Sequence, residues 1–404
     1  MTAGAPVDLR RVRGLDALDP AGKRVLVRVD FNVPLKDGRV ADDTRLRASL
    51  PTIRDLLGRG AAVILMSHLG RPKVVDDAFR MAPVGAALGE LLGRPVTTLR
   101  AVIGPEVSAA VAAMRAGDVV LLENLRFDPG EKDDDPAFAR ALAGLADAYV
   151  NDAFGTAHRA SASVVGVTRL LPAFAGRLMQ REIDVLGVAL ADPARPFAVV
   201  LGGAKIADKI GVIDALLPRC DRILIGGGMA NTFLAAGGTA MGDSLVEADS
   251  LDAARRIRAD AGTKLVLPVD LVAADAFDAA ARTRVVTAAD GVPAGWRALD
   301  IGPASLTTFA SALADARTVL WNGPMGVFEL PPFARGTFGV AAALASLPDA
   351  LTIVGGGDSA AAVKAAGLED RIGWVSTGGG ATLELLEGRT LPAIAALAAA
   401  GAGG

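Results

Sequence analysis

The 404-residue sequence lacks the marks of several common protein classes. It has a single cysteine, Cys220, which excludes an intrachain disulfide and any thiolate cluster for zinc. That cysteine is flanked by Leu216, Leu217, Ile223 and Leu224, so it reads as a small core residue and not a nucleophile. No apolar run approaches the roughly 20 residues that a membrane span requires. The opening stretch, MTAGAPVDLRRVRGL, carries charges where a signal peptide needs an apolar segment. A net charge of −3 gives no reason to expect nucleic acid or an anionic membrane as partner. There are two histidines, His68 and His158, and an isolated histidine is more often a satisfied polar residue than a base or ligand. A GxxxxGK[ST] phosphate loop is absent. The expectation is a soluble, cytoplasmic, monomeric protein of two domains, since this length exceeds what one hydrophobic core usually supports.

What the sequence does have is a repeated strand–glycine–helix transition. The clearest is LTIVGGGDSAAAV (351–363), where four apolar residues run into three glycines, then Asp358, Ser359 and an alanine-rich segment. Bare backbone at a helix start lets N–H groups approach an anion closely, and the helix dipole favours phosphate there. Asp358 at that point suits a metal ion that bridges phosphate oxygens. The segments FAVVLGGAK (197–205), RILIGGGMA (222–230) and WVSTGGGATLE (374–384) have the same form. Lys205 and Lys209 follow the first of these and are expected one turn apart on a helix face, where phosphate would relieve their repulsion. Glu329, in WNGPMGVFE, lies beyond a strand end and suits a ribose hydroxyl.

Apolar runs at 24–33, 61–67, 96–99, 119–125 and 148–153 alternate with helical spacing at 44–59, 81–93, 105–116 and 136–147. The second half repeats the pattern, with strands expected near 197–202, 222–226, 264–269, 318–321, 351–354 and 372–376. This predicts an α/β protein of two doubly wound, parallel-sheet domains of the Rossmann-like kind. The boundaries fall at 1–172, a joining helix over 173–190, and 191–389, with a cleft between the domains.

The first half has few glycine clusters but basic residues at successive strand ends. Arg28, Asp30 and Asn32 alternate along VLVRVDFNVP and are expected on one side of a strand. SHLGRP supplies His68 and Arg71, ENLRF supplies Arg126, and NDAFGTAHRAS supplies His158 and Arg159. Ligands of open parallel sheets bind outside the carboxyl ends of the strands, and Arg suits phosphate and carboxylate. Arg126 has a bland alternative in pairing with Asp128 or Glu131, and Arg71 in pairing with Asp76. Residues 1–170 hold 23 basic and 21 acidic residues, and 171–404 hold 19 and 24. The first lobe reads as an anion site and the second as a nucleotide site. Two other readings stay open: a dehydrogenase binding NAD through GxGxxA at Gly355, Gly357 and Ala360, and a non-catalytic nucleotide-binding protein.

From RVDFNVP (28–34) and DDTRLRASLPT (42–52) through GGAKIADKIGVI (202–213) to STGGGATLELLEG (376–388), the chain resembles the phosphoglycerate kinase family end to end. The resemblance implies magnesium-dependent phosphoryl transfer between 1,3-bisphosphoglycerate and ADP, giving 3-phosphoglycerate and ATP. It implies that residues 390–404 pack back on the first domain. Asp30, Phe31, Asn32, Arg45, His68, Leu69, Gly70, Arg71, Arg126 and Arg159 would line the phosphoglycerate site. Lys205, Lys209, Glu329, Gly356, Gly357, Asp358 and Ser359 would bind nucleotide, with Asp358 on Mg2+. Arg45 and Lys205, with the backbone N–H groups of Gly357 and Gly380, would stabilise the moving group. One departure is visible: AHRASAS has Ser161 where many members of the family have a second histidine.

Overall fold

The structure, a computed structural model, describes residues 8–402. It divides into two compact units: the chain up to Asp184 together with the residues from Arg389 onward, and the continuous segment Val185–Gly388.

The first unit is built on six parallel strands: β1 (Arg24–Arg28), β2 (Ala62–Met66), β3 (Thr97–Thr98), β4 (Val119–Leu121), β5 (Ala148–Asn151) and β6 (Ala173–Ala175). They lie in the order β3-β4-β2-β1-β5-β6. Val25, Leu26 and Val27 are wholly buried, as expected for a central strand covered on both faces. Register decides what meets at the sheet's end. Arg28 lies beside Met66 on one side and Asn151 on the other, so the three loops that follow leave the sheet together. β1 stops at Arg28, earlier than expected, and Asp30 and Asn32 lie in the loop beyond it.

The expected joining helix over 173–190 begins later, at Arg177, and runs to Ala191. Residues 173–175 instead form β6, because Phe174 fits the core while Ala173–Ala175 pair with Tyr149–Asn151. The helix start is fixed from within the first unit. Asp152 Oδ1 accepts from the N–H groups of Leu178 and Met179 at 2.9 and 3.2 Å, and Arg177 Nε reaches Asp55 at 2.9 Å. Burial pushes the Asp152 carboxyl up to about 7. A methyl at Gly176 would sit 2.2 Å from Asp152 Oδ1, so no larger residue fits this approach. The C-terminal helix Pro392–Gly401 also belongs here: Ala393 N donates to Ala157 O at 3.0 Å, and Ile394 and Leu397 are buried. Burying two such side chains contributes about 3–6 kcal/mol.

The second unit holds β7 (Phe197–Leu201), β8 (Arg222–Ile225), β9 (Leu265–Val266), β10 (Asp270–Ala274), β11 (Thr283–Thr287), β12 (Arg297–Ile301), β13 (Thr318–Asn322), β14 (Leu351–Gly355) and β15 (Trp374–Val375). Six of them form a parallel sheet in the order β9-β8-β7-β13-β14-β15. The other three, β11-β10-β12, form an antiparallel sheet that the apolar pattern did not announce. Asn322 lies beside both Leu201 and Gly355, and Ile225 beside Leu201. Gly202, Gly226, Gly323 and Gly356 therefore leave the sheet side by side.

Candidate active site

In the first unit the loops after β1, β2, β4 and β5 converge. Arg45, in the first turn of helix Thr44–Gly58, donates to Asp30 Oδ2 at 2.9 Å and to Asn32 O at 3.1 Å. Asn32 Oδ1 accepts from Gly70 N at 2.8 Å, which holds the β2 loop against the β1 loop. Asn124 makes the next tie, accepting from Leu69 N and Arg126 N at 3.1 Å and donating to Leu69 O at 2.8 Å. Sequence reading passed over Asn124, although it stands inside ENLRF. Phe31 and Leu69 turn their side chains into the hydrophobic core, and the Leu69 N–H and carbonyl are both taken by Asn124. Phe31 N is already taken by Ser67 Oγ at 2.8 Å.

His68 is 3% exposed and stands among arginines. Arg28 Nη2 lies 3.2 Å from its Nδ1, and Arg159 Nη1 lies 3.4 Å from its Nε2. Burial, then the charges of Arg28, Arg126, Arg159 and Arg45, hold the imidazole well below its ordinary pKa, so it is neutral at physiological pH. Burial and their arginine neighbours likewise lower Arg126 and Arg159. Among the described residues, Arg71, Arg126 and Arg159 form no ion pair with any carboxylate; the pairing of Arg126 with Asp128 or Glu131, and of Arg71 with Asp76, does not occur. Among the described residues, the Arg126 guanidinium donates to Gly70 O, at 3.0 Å. Guanidiniums held together with no carboxylate bonded to these three favour an anion at this sheet end.

Ser161 and its neighbour Ser163 have a different task. Both hydroxyls donate to buried Glu131 Oε1, at 2.9 and 2.6 Å, and Arg28 Nε donates to Ser163 Oγ at 2.9 Å. Ser161 thus helps satisfy, by hydrogen bond, a buried carboxylate behind the arginine cluster.

The second unit builds its site from backbone. A pocket of about 510 Å³ is lined by Gly202, Gly203, Gly323, Gly356, Gly357, Gly379 and Gly380, together with Lys205, Asp208, Lys209, Asn322, Asp358 and Ser359. Gly356 has φ +91° and caps helix Gly357–Ala365, a conformation that L side chains rarely adopt. Ser359 is buried and accepts from Gly323 N at 2.6 Å, tying two of the glycine turns together. The lysines are not on a helix: helix Ile210–Leu216 starts after them. Glu247 accepts from Ile206 N and Ala207 N, at 2.5 and 3.3 Å, and holds the segment between the lysines in a turn. Lys205 is exposed, whereas Lys209 is half-buried and donates to Asn322 Oδ1. Burial lowers the Lys209 ammonium to about 8. Asn322 Nδ2 is buried without a partner in the pocket wall, a donor that sequence reading missed.

A second pocket of about 530 Å³ shares Gly203, Ala204, Pro324 and Asp358 with the first. Leu245, Leu271, Phe277, Leu299, Met325 and Val327 make it apolar, and Glu329 is on its wall. A polar, glycine-lined pocket continuous with an apolar one suits a ligand with a phosphate end and a heterocyclic end. Among the described residues no cluster of three or more His, Cys, Asp or Glu could hold a metal by itself. The oxygen donors Asp358 and Asp208 beside a phosphate pocket fit Mg2+, which takes one or two carboxylates and completes its shell with substrate and water.

Comparison with known proteins agrees with this chemistry. The family model described as phosphoglycerate kinase matches residues 15–389. The chain is 59% identical over 387 residues to the phosphoglycerate kinase of Moorella thermoacetica, covering 95% of this chain and 98% of that one. It is 58% identical over 386 residues to that of Roseiflexus castenholzii, covering 94% and 97%. The solved phosphoglycerate kinase of Coxiella burnetii superposes with a TM-score of 0.85 at 40% identity, over 96% of this chain and 98% of that one. That of Pyrococcus horikoshii OT3 gives 0.86 at 34%, over 95% and 98%. With an arginine cluster on one sheet end, a glycine-lined pocket on the other and this match along nearly its whole length, the chain belongs to the phosphoglycerate kinase family.

Proposed function

We propose that the chain catalyses reversible phosphoryl transfer from 1,3-bisphosphoglycerate to ADP, giving 3-phosphoglycerate and ATP, as a phosphotransferase of glycolysis. The observation that carries this reading is the trio Arg71, Arg126 and Arg159, which hold no carboxylate partner among the described residues. Their counterpart is the glycine-walled pocket with Lys205, Lys209 and Asp358. The GxGxxA reading is set aside, since Gly355 is the last residue of β14 and not a turn glycine.

In this reading Arg71, Arg126 and Arg159 bind the phosphate and carboxylate of the three-carbon acid. Asp30, Asn32, Gly70 and neutral His68, with the backbone of Phe31 and Leu69, shape its site. Lys205, Lys209, Gly356 and the first turn of the helix after it receive the nucleotide phosphates, Ser359 supporting that turn from below. The apolar pocket takes the nucleoside and Glu329 its ribose hydroxyls. A transferring phosphoryl group spreads charge over three oxygens, so catalysis rests on positioning and charge stabilisation. Arg45, Lys205 and the N–H groups of Gly357 and Gly380 take that role. The reacting oxygens and phosphorus have to approach within about 3–3.5 Å. No general base is needed, because the acceptor carboxylate of the reverse reaction is already ionised. Asp358 would hold Mg2+, which when bound neutralises charge between phosphate oxygens.

We assign the protein to the cytoplasm as a monomer. No described helix is long and apolar enough to cross a membrane. The direct test is ATP formation from ADP and 1,3-bisphosphoglycerate with Mg2+. A purified, folded chain that forms none overturns the activity, and light scattering far from 41.0 kDa overturns the monomer.

A further inference from the structure

The apolar pocket of the second unit has one feature that phosphate and ribose do not use. Arg297, at the start of β12, lines it beside Leu245, Phe277 and Val327. No hydrogen bond or ion pair joins its guanidinium to any described residue, and its Nε is buried without a partner. Its neighbours are engaged. Arg282 pairs with Asp275 at 2.6 Å, and Arg284 stacks over the Trp296 ring at 4.1 Å. Asp243, a carboxylate on the same wall, accepts from Gly295 N at 3.2 Å and is not paired with Arg297. Burying an N–H donor without an acceptor is costly, so this fork is poised for an acceptor that arrives with a ligand.

Beside its carboxylates Asp243, Asp300, Glu329 and Asp358, the pocket offers apolar walls with one aromatic ring and, at Arg297, N–H donors that no described residue engages. That combination suits a planar heterocycle with acceptors on one edge. Adenine presents an acceptor, N7, next to a donor, the 6-amino group, and a second donor facing a guanidinium makes no bond. Guanine and hypoxanthine present O6 and N7, two adjacent acceptors that match the guanidinium fork. In the proposed reading Lys205, Lys209 and the glycine turns face phosphate, which is common to all these nucleotides, and so do not choose among bases.

We propose that Arg297 sets the base preference of this site and makes the chain accept 6-oxopurine nucleotides, GDP and IDP, at least as efficiently as ADP. The proposal rests on the assignment of the apolar pocket to the nucleoside. The test compares kcat/KM for ADP, GDP and IDP with 1,3-bisphosphoglycerate at fixed free Mg2+, in the natural chain, Arg297→Met and Arg297→Lys. Arg297→Met is expected to lower the GDP/ADP and IDP/ADP ratios by about tenfold or more, the worth of a bidentate contact. Arg297→Lys, a point donor without the fork, should fall between. Calorimetric binding of GDP and ADP repeats the comparison without turnover. If Arg297 only packs the wall, all three nucleotides change together and the unchanged ratios overturn the proposal. A fall for GDP but not for IDP also overturns it, because the two share the O6/N7 edge. A natural chain that uses none of the three nucleotides fails the kinase reading itself; one that uses ADP far better than both others fails only the role of Arg297.

Discussion

In the proposed reading the two units solve the same problem, holding phosphate, by opposite means. The first gathers side chains: Arg28, Arg45, Arg126 and Arg159 crowd a neutral histidine, and Arg71 stands by Arg126 and Arg159. The second removes side chains, so that backbone of Gly202, Gly323, Gly356 and Gly379 walls the pocket and the positive side chains lining it are two lysines. Side-chain charge gives strong attraction at a cost in mutual repulsion. Backbone donors give weaker attraction but are fixed by the sheet and cannot be titrated. The first site should thus fail by deletion of atoms and the second by their addition.

The largest effect is expected at Arg45. Its bonds to Asp30 and Asn32 O hold it beside the arginine cluster, and Arg45→Ala should lower kcat by roughly 10³–10⁵. Steady-state kinetics decide it: kcat kept within tenfold, with a raised KM for phosphoglycerate, makes Arg45 a binding residue only. Arg126→Ala removes a guanidinium with no carboxylate to release, and should raise the phosphoglycerate KM by about 10- to 150-fold, from the usual worth of a charged hydrogen bond. Added salt should weaken phosphoglycerate binding more in the natural chain than in this variant. A variant with unchanged KM and unchanged salt dependence would take Arg126 out of the site.

In the second unit the sharpest test adds one methyl. Gly356→Ala forces a left-handed conformation costing about 1–2 kcal/mol and brings Cβ to 3.1 Å from Asn322 Nδ2. Nucleotide affinity, read by calorimetry, should drop about tenfold or more; undiminished affinity would mean that phosphate does not approach this turn. Asp358→Ala should leave the melting temperature close to that of the natural chain and raise the Mg2+ concentration for half-maximal activity by roughly tenfold. An unmoved magnesium curve removes Asp358 from the metal.

The smallest effect distinguishes the units by pH. Lys209, lowered to about 8 by burial, is partly neutral in the free protein above that pH. Bound phosphate is an opposite charge and raises it again. Nucleotide binding near pH 8.5 should therefore take up a fraction of a proton, and affinity should weaken as pH rises through about 8, whereas near pH 6.5 Lys209 is charged in both states. Calorimetry in buffers of different ionisation enthalpy measures this uptake. His68, already neutral through burial, should add no such step to phosphoglycerate binding between pH 7 and 8. Equal proton uptake at both sites would erase the contrast.

Sequence patterning reached the central strands of both units because β-branched runs buried on both faces are unmistakable, as in Val25–Val27 and Val199–Val200. It reached Arg71, Arg126 and Arg159 because each lies in the loop that follows a strand, and register brings strand ends together. It did not reach the antiparallel sheet, since β11 (Thr283–Thr287) is mostly exposed and carries no continuous apolar signal. Lys205 and Lys209 read as helical because spacing says nothing of Glu247, 41 residues after Ile206, which takes the amides of the turn. Phe31 lay in a motif with Asp30 and Asn32, yet alternation cannot reveal which way a residue turns once the strand has ended at Arg28. Arg297 was invisible for a related reason: its meaning lies in the lack of a partner, and partners are contributed by residues distant in the chain.

The C-terminal helix has a consequence for how the molecule is made. Ribosomes release the chain from its first residue onward, and domains usually fold in that order, at about 5–20 residues per second. Here the first unit stays without Pro392–Gly401 until synthesis is almost over, while the second, Val185–Gly388, is contiguous and complete earlier. The face that later receives Ile394 and Leu397 is bare during the intervening translation, some 10–40 s at those rates. The half of the enzyme that is synthesised first is therefore the half that is finished last, and it is the one a nascent-chain chaperone would have reason to attend.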